Sequence, residues 1–292
     1  MKTNGIISEF EYKAPKYRLI YGIMLALLLV LVVICLFPPL WVIVSAGKDV
    51  EEFYRVPPTL LPKSFNPGKI VSLFKTHSFL KYYVNTFSVC IGSVVFSVVI
   101  NGLMGYSLSK MKVKGAKFIF GLILASYLLP NTVSMVPVYK AIIKFPILGT
   151  NLLNTNWPMW LMAGANAFMV IVYKGFFDDI PDSLLEAGRL DGCTDSSLFT
   201  KIVLPLSKPV MFTSVILTFN AAWGDFFWPY MVLRKKETYT IMVDIFVMQQ
   251  EPTITIDTIL IAIAVAIIPP AILFMFFQKN IMQGFTMSGI KG

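Results

Sequence analysis

Charged residues in one short polar stretch are the clearest candidates for chemistry in this sequence. The stretch "EAGRLDGCTDSSLFTKIVLPLSKP" runs from Glu186 to Pro209 and lies between two long apolar segments. Glu186, Arg189 and Asp191 precede Gly192 within it. A carboxylate beside a guanidinium suits docking to a soluble partner by charge complementarity. An ordinary linker at the membrane surface is the alternative interpretation.

The residue types that enzymes need are not brought together by any recognisable spacing. The only histidine is His77, so no Ser-His, Cys-His or H-E-x-x-H arrangement exists. The phosphate-binding pattern G-x-x-x-x-G-K-[ST] is also absent from the sequence. Cys35, Cys90 and Cys193 share no metal-ligand spacing. We therefore predict no catalytic residue, no metal site and no cofactor bound by this chain, which argues against an intramembrane enzyme.

The composition indicates the environment in which these residues must lie. The chain has 292 residues, of which 56% are hydrophobic and 14% are charged, whereas a soluble domain carries about 25% charged residues. We therefore expect most of the chain to lie in lipid. The net charge of +9 comes from Lys and Arg residues that flank apolar runs, which is typical of membrane topology signals. This distribution argues against nucleic acid as a partner.

Six apolar runs are long enough to cross a bilayer as helices, which requires about 20 residues each. The predicted spans are residues 18–39, 83–108, 118–138, 157–177, 209–232 and 256–277. The lysine-rich stretch "SKMKVKGAK" after the second span is typical of a cytoplasmic loop. With an even number of spans, both termini then face the cytoplasm. We predict a cytoplasmic tail at 1–17, a transmembrane domain at 18–277, a cytoplasmic loop at 178–207 and a cytoplasmic tail at 278–292.

The polar stretch itself predicts two short helices. "DDIPDSLLEAGRLDG" favours an amphipathic helix that begins near Pro181 and ends at Gly192. Its apolar residues are Leu184, Leu185 and Leu190. A second helix is predicted over residues 196–203, and Pro205 is expected to break it. The two helices would place Glu186 and Arg189 on the cytoplasmic surface.

The spacing in this stretch resembles the EAA loop of ATP-binding-cassette importer permeases. That pattern is Glu-Ala-Ala, three residues, Gly, nine residues, Ile, one residue and Leu-Pro. The matching residues here are Glu186, Ala187, Gly188, Gly192, Ile202, Leu204 and Pro205. Gly188 departs from the usual Ala, and glycine in a helix interior costs up to about 1 kcal/mol. We therefore expect a looser helix at this position.

Other segments extend the resemblance to sugar importers of the maltose-type permease family. "NTFSVCIGSVVFSVVINGLMGYSLSKMKVKGAK" looks like the second span and following loop of that family, and "FNAAWGDFFWPYMVL" looks like its fifth span. The resemblance implies an all-α, type I importer transmembrane domain in a bacterial inner membrane. It also implies a heterodimer with a second homologous permease, two ATPase subunits that bind ATP and Mg²⁺, and an external solute-binding protein.

In such an assembly the EAA loop would be a coupling helix seated in a groove of one ATPase. The resemblance gives this role to Glu186, Ala187, Gly188, Arg189, Asp191, Gly192, Ile202, Leu204 and Pro205. Leu185 and Leu190 would supply the apolar contact. The alternatives are a permease for a non-sugar solute and a secondary carrier or channel, although we detect no internal repeat of the kind that carriers show.

Polar and aromatic residues in the fifth apolar run are candidates for sugar contact. Intramembrane polar residues are costly and are functional candidates by default. Aromatic faces pack on the apolar face of a sugar ring while polar groups bond its hydroxyls. The candidates are Asn220, Trp223, Asp225, Trp228 and Tyr230. The alternative is that the Trp and Tyr residues belong to an aromatic belt at the membrane interface.

Overall fold

A computed structural model describes residues 15–57, 59–63, 68–76, 78–111, 113–147 and 149–288, with side chains as far as Phe277 except that of Thr76. Residues 1–14 of the predicted N-terminal tail, His77 and the last four residues of the predicted C-terminal tail lie outside this range. The described residues form helices joined by turns and contain no strand. The predicted all-α fold class is confirmed.

The α-helices are numbered in chain order. They are α1 (Pro15–Ser45), α2 (Val50–Phe53), α3 (Gly68–Thr76), α4 (Phe79–Phe96), α5 (Gly102–Lys110), α6 (Ala116–Leu128), α7 (Asn131–Ile143), α8 (Trp157–Gly164), α9 (Ala167–Asp178), α10 (Asp182–Leu190), α11 (Asp195–Leu198), α12 (Leu204–Leu206), α13 (Lys208–Gly224), α14 (Phe227–Val232), α15 (Ile241–Met248) and α16 (Ile256–Ser288). The described residues also form two π-helices, Ser97–Asn101 and Phe199–Val203, and a 3₁₀-helix, Lys236–Thr238.

Up to six segments of the described chain can cross a membrane. Four segments are long and apolar enough by themselves: Pro15–Ser45, Phe79–Lys110, Trp157–Asp178 and Ile256–Phe277. Two further segments are helix pairs, Ala116–Leu128 with Asn131–Ile143 and Asp195–Leu206 with Lys208–Gly224, which are bent by 105° and 69° respectively. Each pair counts as one span if the bend lies within the membrane.

Three of the predicted spans differ from the helices that form, and one of them, residues 157–177, is interrupted between α8 and α9. We predicted a continuous helix over residues 118–138, but α6 ends at Leu128 because Pro130 disfavours helical geometry at Leu129, which is extended. We predicted another helix over residues 209–232, but α13 ends at Gly224. Asp225 is also extended, and its Oδ1 accepts hydrogen bonds from the amides of Phe227 (2.9 Å) and Trp228 (3.3 Å) at the start of α14.

The chain divides into two compact units, and the smaller one comprises residues 1–71 and 254–265. Its polar contacts converge on Lys69, whose Nζ lies 2.7 Å from Asp49 Oδ1 and 2.9 Å from Asp257 Oδ2. The Glu52 carboxylate accepts hydrogen bonds from the Lys63 amide and from Thr59 Oγ1. These bonds tie the segment after α1 to α3 and to the first turn of α16.

The larger unit comprises residues 72–253 and 266–292. One of its core clusters contains Tyr106 of α5, Tyr173 and Phe177 of α9, and Val210 of α13. Helices α5 and α9 approach closely at Gly105, where an added Cβ would lie 2.6 Å from Tyr173 Cβ. Small residues at such crossings allow helix backbones to pack tightly in membranes. This packing positions the polar segment that follows α9.

Candidate functional site

The polar segment folds as a helical hairpin, residues 182–206, formed by α10, α11, the second π-helix and α12. Helix α10 ends in a left-handed glycine, since Gly192 has φ +82°. The Cys193 amide donates to the Gly188 carbonyl, and the Gly192 amide donates to the Arg189 carbonyl, both at 3.0 Å. These two bonds form a Schellman motif. Gly192 therefore turns the chain, as its sequence position predicts.

Gly188 joins the two arms of the hairpin. A Cβ added at Gly188 would lie 2.5 Å from Leu198 Cδ2 and 2.9 Å from Ile202 Cδ1. The expectation of a looser helix is therefore incomplete. Glycine has a low helix propensity, but its lack of a side chain allows α10 to approach the second arm of the hairpin closely. Sequence reasoning missed this role, and its only signal was the departure of Gly188 from the EAA pattern.

The hairpin is fastened to α5 and to the end of α9. Leu185 is only 3% exposed and belongs to the same core as Tyr106 and Phe177. Lys110 Nζ donates to Asp182 Oδ1 and to the Ile180 carbonyl, each at 2.7 Å. We expected Leu185 to contact a partner protein, but its side chain is covered within this chain. Lys110 was interpreted only as a topology signal, and its anchoring role comes from the fold.

The opposite face of α10 is open. Leu190 is 90% exposed, and Glu186, Ala187, Arg189 and Asp191 are all exposed. Arg189 Nη2 lies 3.4 Å from Asp195 Oδ1 across the turn. Exposed pairs of this kind contribute at most about 1 kcal/mol. The face therefore presents one large apolar side chain surrounded by charges of both signs.

The second arm is longer than predicted. Residues 195–206 are continuously helical through the π-helix Phe199–Val203, and the bend comes at Ser207. Pro205 does not break the helix, which continues to Leu206; it directly follows the π-helix, where the regular hydrogen-bond ladder is already interrupted. Ile202 is half-buried against Gly188, and Leu204 is exposed.

The candidate sugar-contact residues are separated by the fold. Asn220 is exposed on α13, whereas Trp223 is only 2% exposed. Trp223 Nε1 donates to the Ala266 carbonyl at 3.1 Å, and its ring stacks on Phe219 with centroids 5.6 Å apart. Trp223 therefore serves helix packing, which departs from the prediction that it faces a substrate.

The remaining candidates lie around the break after α13. Asp225 accepts the two amide hydrogen bonds that begin α14, Trp228 is half-buried, and Tyr230 is exposed. The Tyr230 ring packs edge-on against Phe246, with centroids 5.1 Å apart. Asn220, Asp225, Trp228 and Tyr230 thus combine polar and aromatic surface near one interrupted span. Among the described residues, no group of three or more His, Cys, Asp and Glu side chains could hold a metal ion.

A chain whose described secondary structure is helical throughout, with four to six candidate spans and an anchored, partly exposed hairpin, defines a polytopic membrane protein. The family model "Binding-protein-dependent transport system inner membrane component" matches residues 97–286. The chain belongs to this family and is a permease subunit of an ABC importer in the inner membrane, not an enzyme. The predicted family is confirmed.

Relatives and solved structures agree with this assignment. The chain is 29% identical to the arabinooligosaccharides transport system permease protein AraQ of Bacillus subtilis, covering 96% of this chain and 99% of AraQ. It is 30% identical to the polygalacturonan/rhamnogalacturonan transport system permease protein YtcP of the same organism, covering 94% and 97%. A bacterial ABC transporter that imports the acidic polysaccharide alginate has the same fold, with a TM-score of 0.79, 23% identity and coverage of 91% and 98%.

Proposed function

We propose that this chain forms half of the translocation pathway of an ATP-driven oligosaccharide importer and pairs with a second, homologous permease. The support is the range of similar permeases, whose names refer to arabinooligosaccharides, galactooligosaccharides and polygalacturonan or rhamnogalacturonan. A bulky, flexible glycan suits a pathway with both aromatic and polar surface. On this basis Asn220, Asp225, Trp228 and Tyr230 are the proposed sugar contacts.

The hairpin is the proposed coupling element. One face of α10 is held against the spans, because Leu185 packs in their core and Asp182 accepts a hydrogen bond from Lys110. The other face exposes Glu186, Arg189 and Leu190. The hairpin is packed rigidly against the spans on one face and is free to bind a subunit on the other. A movement of the docked subunit can therefore be transmitted to the spans as a rigid-body movement. This single observation favours docking over the linker interpretation.

The other partners follow from this role. Two ATPase subunits would seat the hairpins of the two permeases and would bind ATP and Mg²⁺, so that this chain hydrolyses nothing itself. A solute-binding protein would deliver the sugar on the outer side, as supported by a crystal structure of an alginate transporter in complex with its periplasmic protein. Both termini of this chain would then lie in the cytoplasm with the hairpin.

Two substitutions in the hairpin test the coupling role. Gly192→Val places a β-branched residue at φ +82°, which costs about 1–2 kcal/mol, and Glu186→Lys reverses a charge on the open face. We expect transport to fall and ATP hydrolysis to lose its response to the loaded binding protein. Glu186→Ala should have the same effect in weaker form, because it removes a charge without reversing it.

The assay is uptake of arabino-oligosaccharides and oligogalacturonides, with ATP hydrolysis, in proteoliposomes that contain the whole complex. Gly175→Val and Glu237→Lys are matched controls, since Gly175 has open space and Glu237 is exposed away from the hairpin. Parental transport and hydrolysis in both hairpin variants would contradict the coupling role. Loss of function in the controls as well would point to a general defect instead.

A further inference from the structure

Two spans of the larger unit are interrupted where they meet. The span Phe79–Lys110 changes from α4 to α5 through the π-helix Ser97–Asn101. The span Trp157–Asp178 is broken between α8 and α9, at Ala165 and Asn166. A π-helix and a helix break both weaken the regular hydrogen-bond ladder, so they are places where helices bend.

One side chain joins the two interruptions. Asn101 is 0% exposed. Its Nδ2 donates to the Ala163 carbonyl at 2.9 Å, and its Oδ1 accepts from the Asn166 amide at 3.2 Å. The carboxamide therefore pairs with a backbone acceptor before the break and a backbone donor after it. In a bilayer such groups have no water to bond, so this pairing lets the break persist there.

The same network reaches a third span. Asn101 Nδ2 also donates to Ser97 Oγ at 3.1 Å. Ser97 Oγ accepts from Thr218 Oγ1 at 3.0 Å and lies 3.3 Å from Ser214 Oγ, both on α13. We call Ser97, Asn101, Ser214 and Thr218, with the break at Asn166, the polar joint. It connects three spans at the level where two of them are interrupted.

On the inner side of the joint, the helices form one block with the hairpin. Ser109 Oγ of α5 donates to Asp178 Oδ1 of α9 at 2.6 Å. The Tyr106 ring packs against Phe177 of α9 and Phe199 of the hairpin, with centroids 5.6 Å and 4.9 Å apart. Movement of the hairpin must therefore carry the inner halves of both interrupted spans with it.

On the outer side, a separate set of contacts holds α4 to α8. Trp160 Nε1 donates to the Ser88 carbonyl at 3.2 Å, and Asn156 Nδ2 donates to Ser88 Oγ at 3.0 Å. Helix α15 is bonded to the same block, because the Ile241 amide donates to Thr86 Oγ1 at 2.9 Å. Each half is thus internally fastened, and the polar joint lies between the two halves.

We propose that the larger unit bends at the polar joint during the ATP cycle, and that Asn101 is the positioning residue that keeps the bends of the two interrupted spans in register. The inference rests on the proposed function, since the force comes from ATPase subunits docked on the hairpin. Without the Asn101 carboxamide, the α8–α9 break loses its partner across the helix pair. The two spans then bend independently, so the inner block no longer swings as a unit against the outer block.

A distance between the two blocks tests this role. Spin labels are placed at Lys114→Cys, in the loop after α5, and at Gln250→Cys, in the turn after α15, with the native cysteines replaced by serine. The sample is the complete reconstituted complex, with and without ATP and vanadate. We expect the parent distance to shift on trapping, and Asn101→Ala to lose that shift while ATP hydrolysis persists.

Controls separate this role from general stability. Ser93→Ala alters a buried hydroxyl one turn before the π-helix and should keep the shift. If Asn101→Ala prevents assembly, Asn101→Leu removes the same hydrogen bonds at similar side-chain volume and should lose the shift in its place. A shift of parental size in the assembled Asn101→Ala complex, or in Asn101→Leu where Asn101→Ala does not assemble, overturns the polar joint. A parent complex that does not hydrolyse ATP contradicts the proposed function instead.

Discussion

Gly188→Ala is the substitution for which helix propensity and packing make opposite predictions. Alanine is favoured over glycine by up to about 1 kcal/mol in a helix interior, and the EAA pattern usually has alanine here. In this chain, however, the new Cβ would lie 2.5 Å from Leu198 Cδ2 and 2.9 Å from Ile202 Cδ1. Carbon atoms pack best at about 3.5–4.0 Å, so both side chains must move by about 1 Å.

The two neighbours differ in their freedom to move. Leu198 is 1% exposed and is held on all sides, whereas Ile202 is half-buried and can adopt another rotamer. Overpacking of this kind costs about 1–3 kcal/mol. After the gain in helix propensity, we expect a net destabilisation of the hairpin of about 1 kcal/mol, which is about fivefold in its opening equilibrium.

Hydrogen exchange at the hairpin turn measures this opening. The Cys193 amide, which donates to the Gly188 carbonyl, should exchange about fivefold faster in Gly188→Ala than in the parent. Gly175→Ala is the matched control, because Gly175 is also helical but has no heavy atom within 4 Å of an added Cβ. Slower exchange at Cys193 in Gly188→Ala would refute the reasoning, since it would mean that propensity outweighs the contact.

Three further outcomes are expected. Burial raises the pKa of Asp244 to about 7, with Lys236 opposing and Glu251 adding to the effect, so ionisation of this carboxyl destabilises the fold as pH rises from about 4 to 7. Asp244→Asn should therefore raise the melting temperature at pH 8 but not at pH 4. A difference in melting temperature that does not depend on pH would contradict this. Trp223→Phe should lower stability by about 1–3 kcal/mol because the Ala266 carbonyl loses its donor, and an altered KM for uptake at unchanged stability would show a sugar contact instead. In sealed cells an impermeant thiol reagent should label Gln249→Cys but not Ser196→Cys, and the reverse would contradict the proposed topology.

Composition and local residue spacing are enough to establish the class of the protein. Low charge and long apolar runs leave no alternative to a membrane-spanning helical fold, because backbone polar groups in lipid must pair within the segment. The spacing of Glu186, Gly192 and Leu204-Pro205 identified the family, and the left-handed turn at Gly192 followed from its position after a short amphipathic helix. These signals are local, so they are readable without knowledge of which helices are neighbours.

Which side chains are exposed depends on packing between helices that are distant in the sequence. Leu185 and Leu190 look alike in the sequence, yet one is buried against Tyr106 and the other is exposed. The Trp223 indole donates a hydrogen bond to the Ala266 carbonyl, 43 residues away, and the Asn101 carboxamide bonds the backbone at a break in a different span. Such pairings depend on how separate helices pack, and helical periodicity in an apolar chain does not specify the partner of each face.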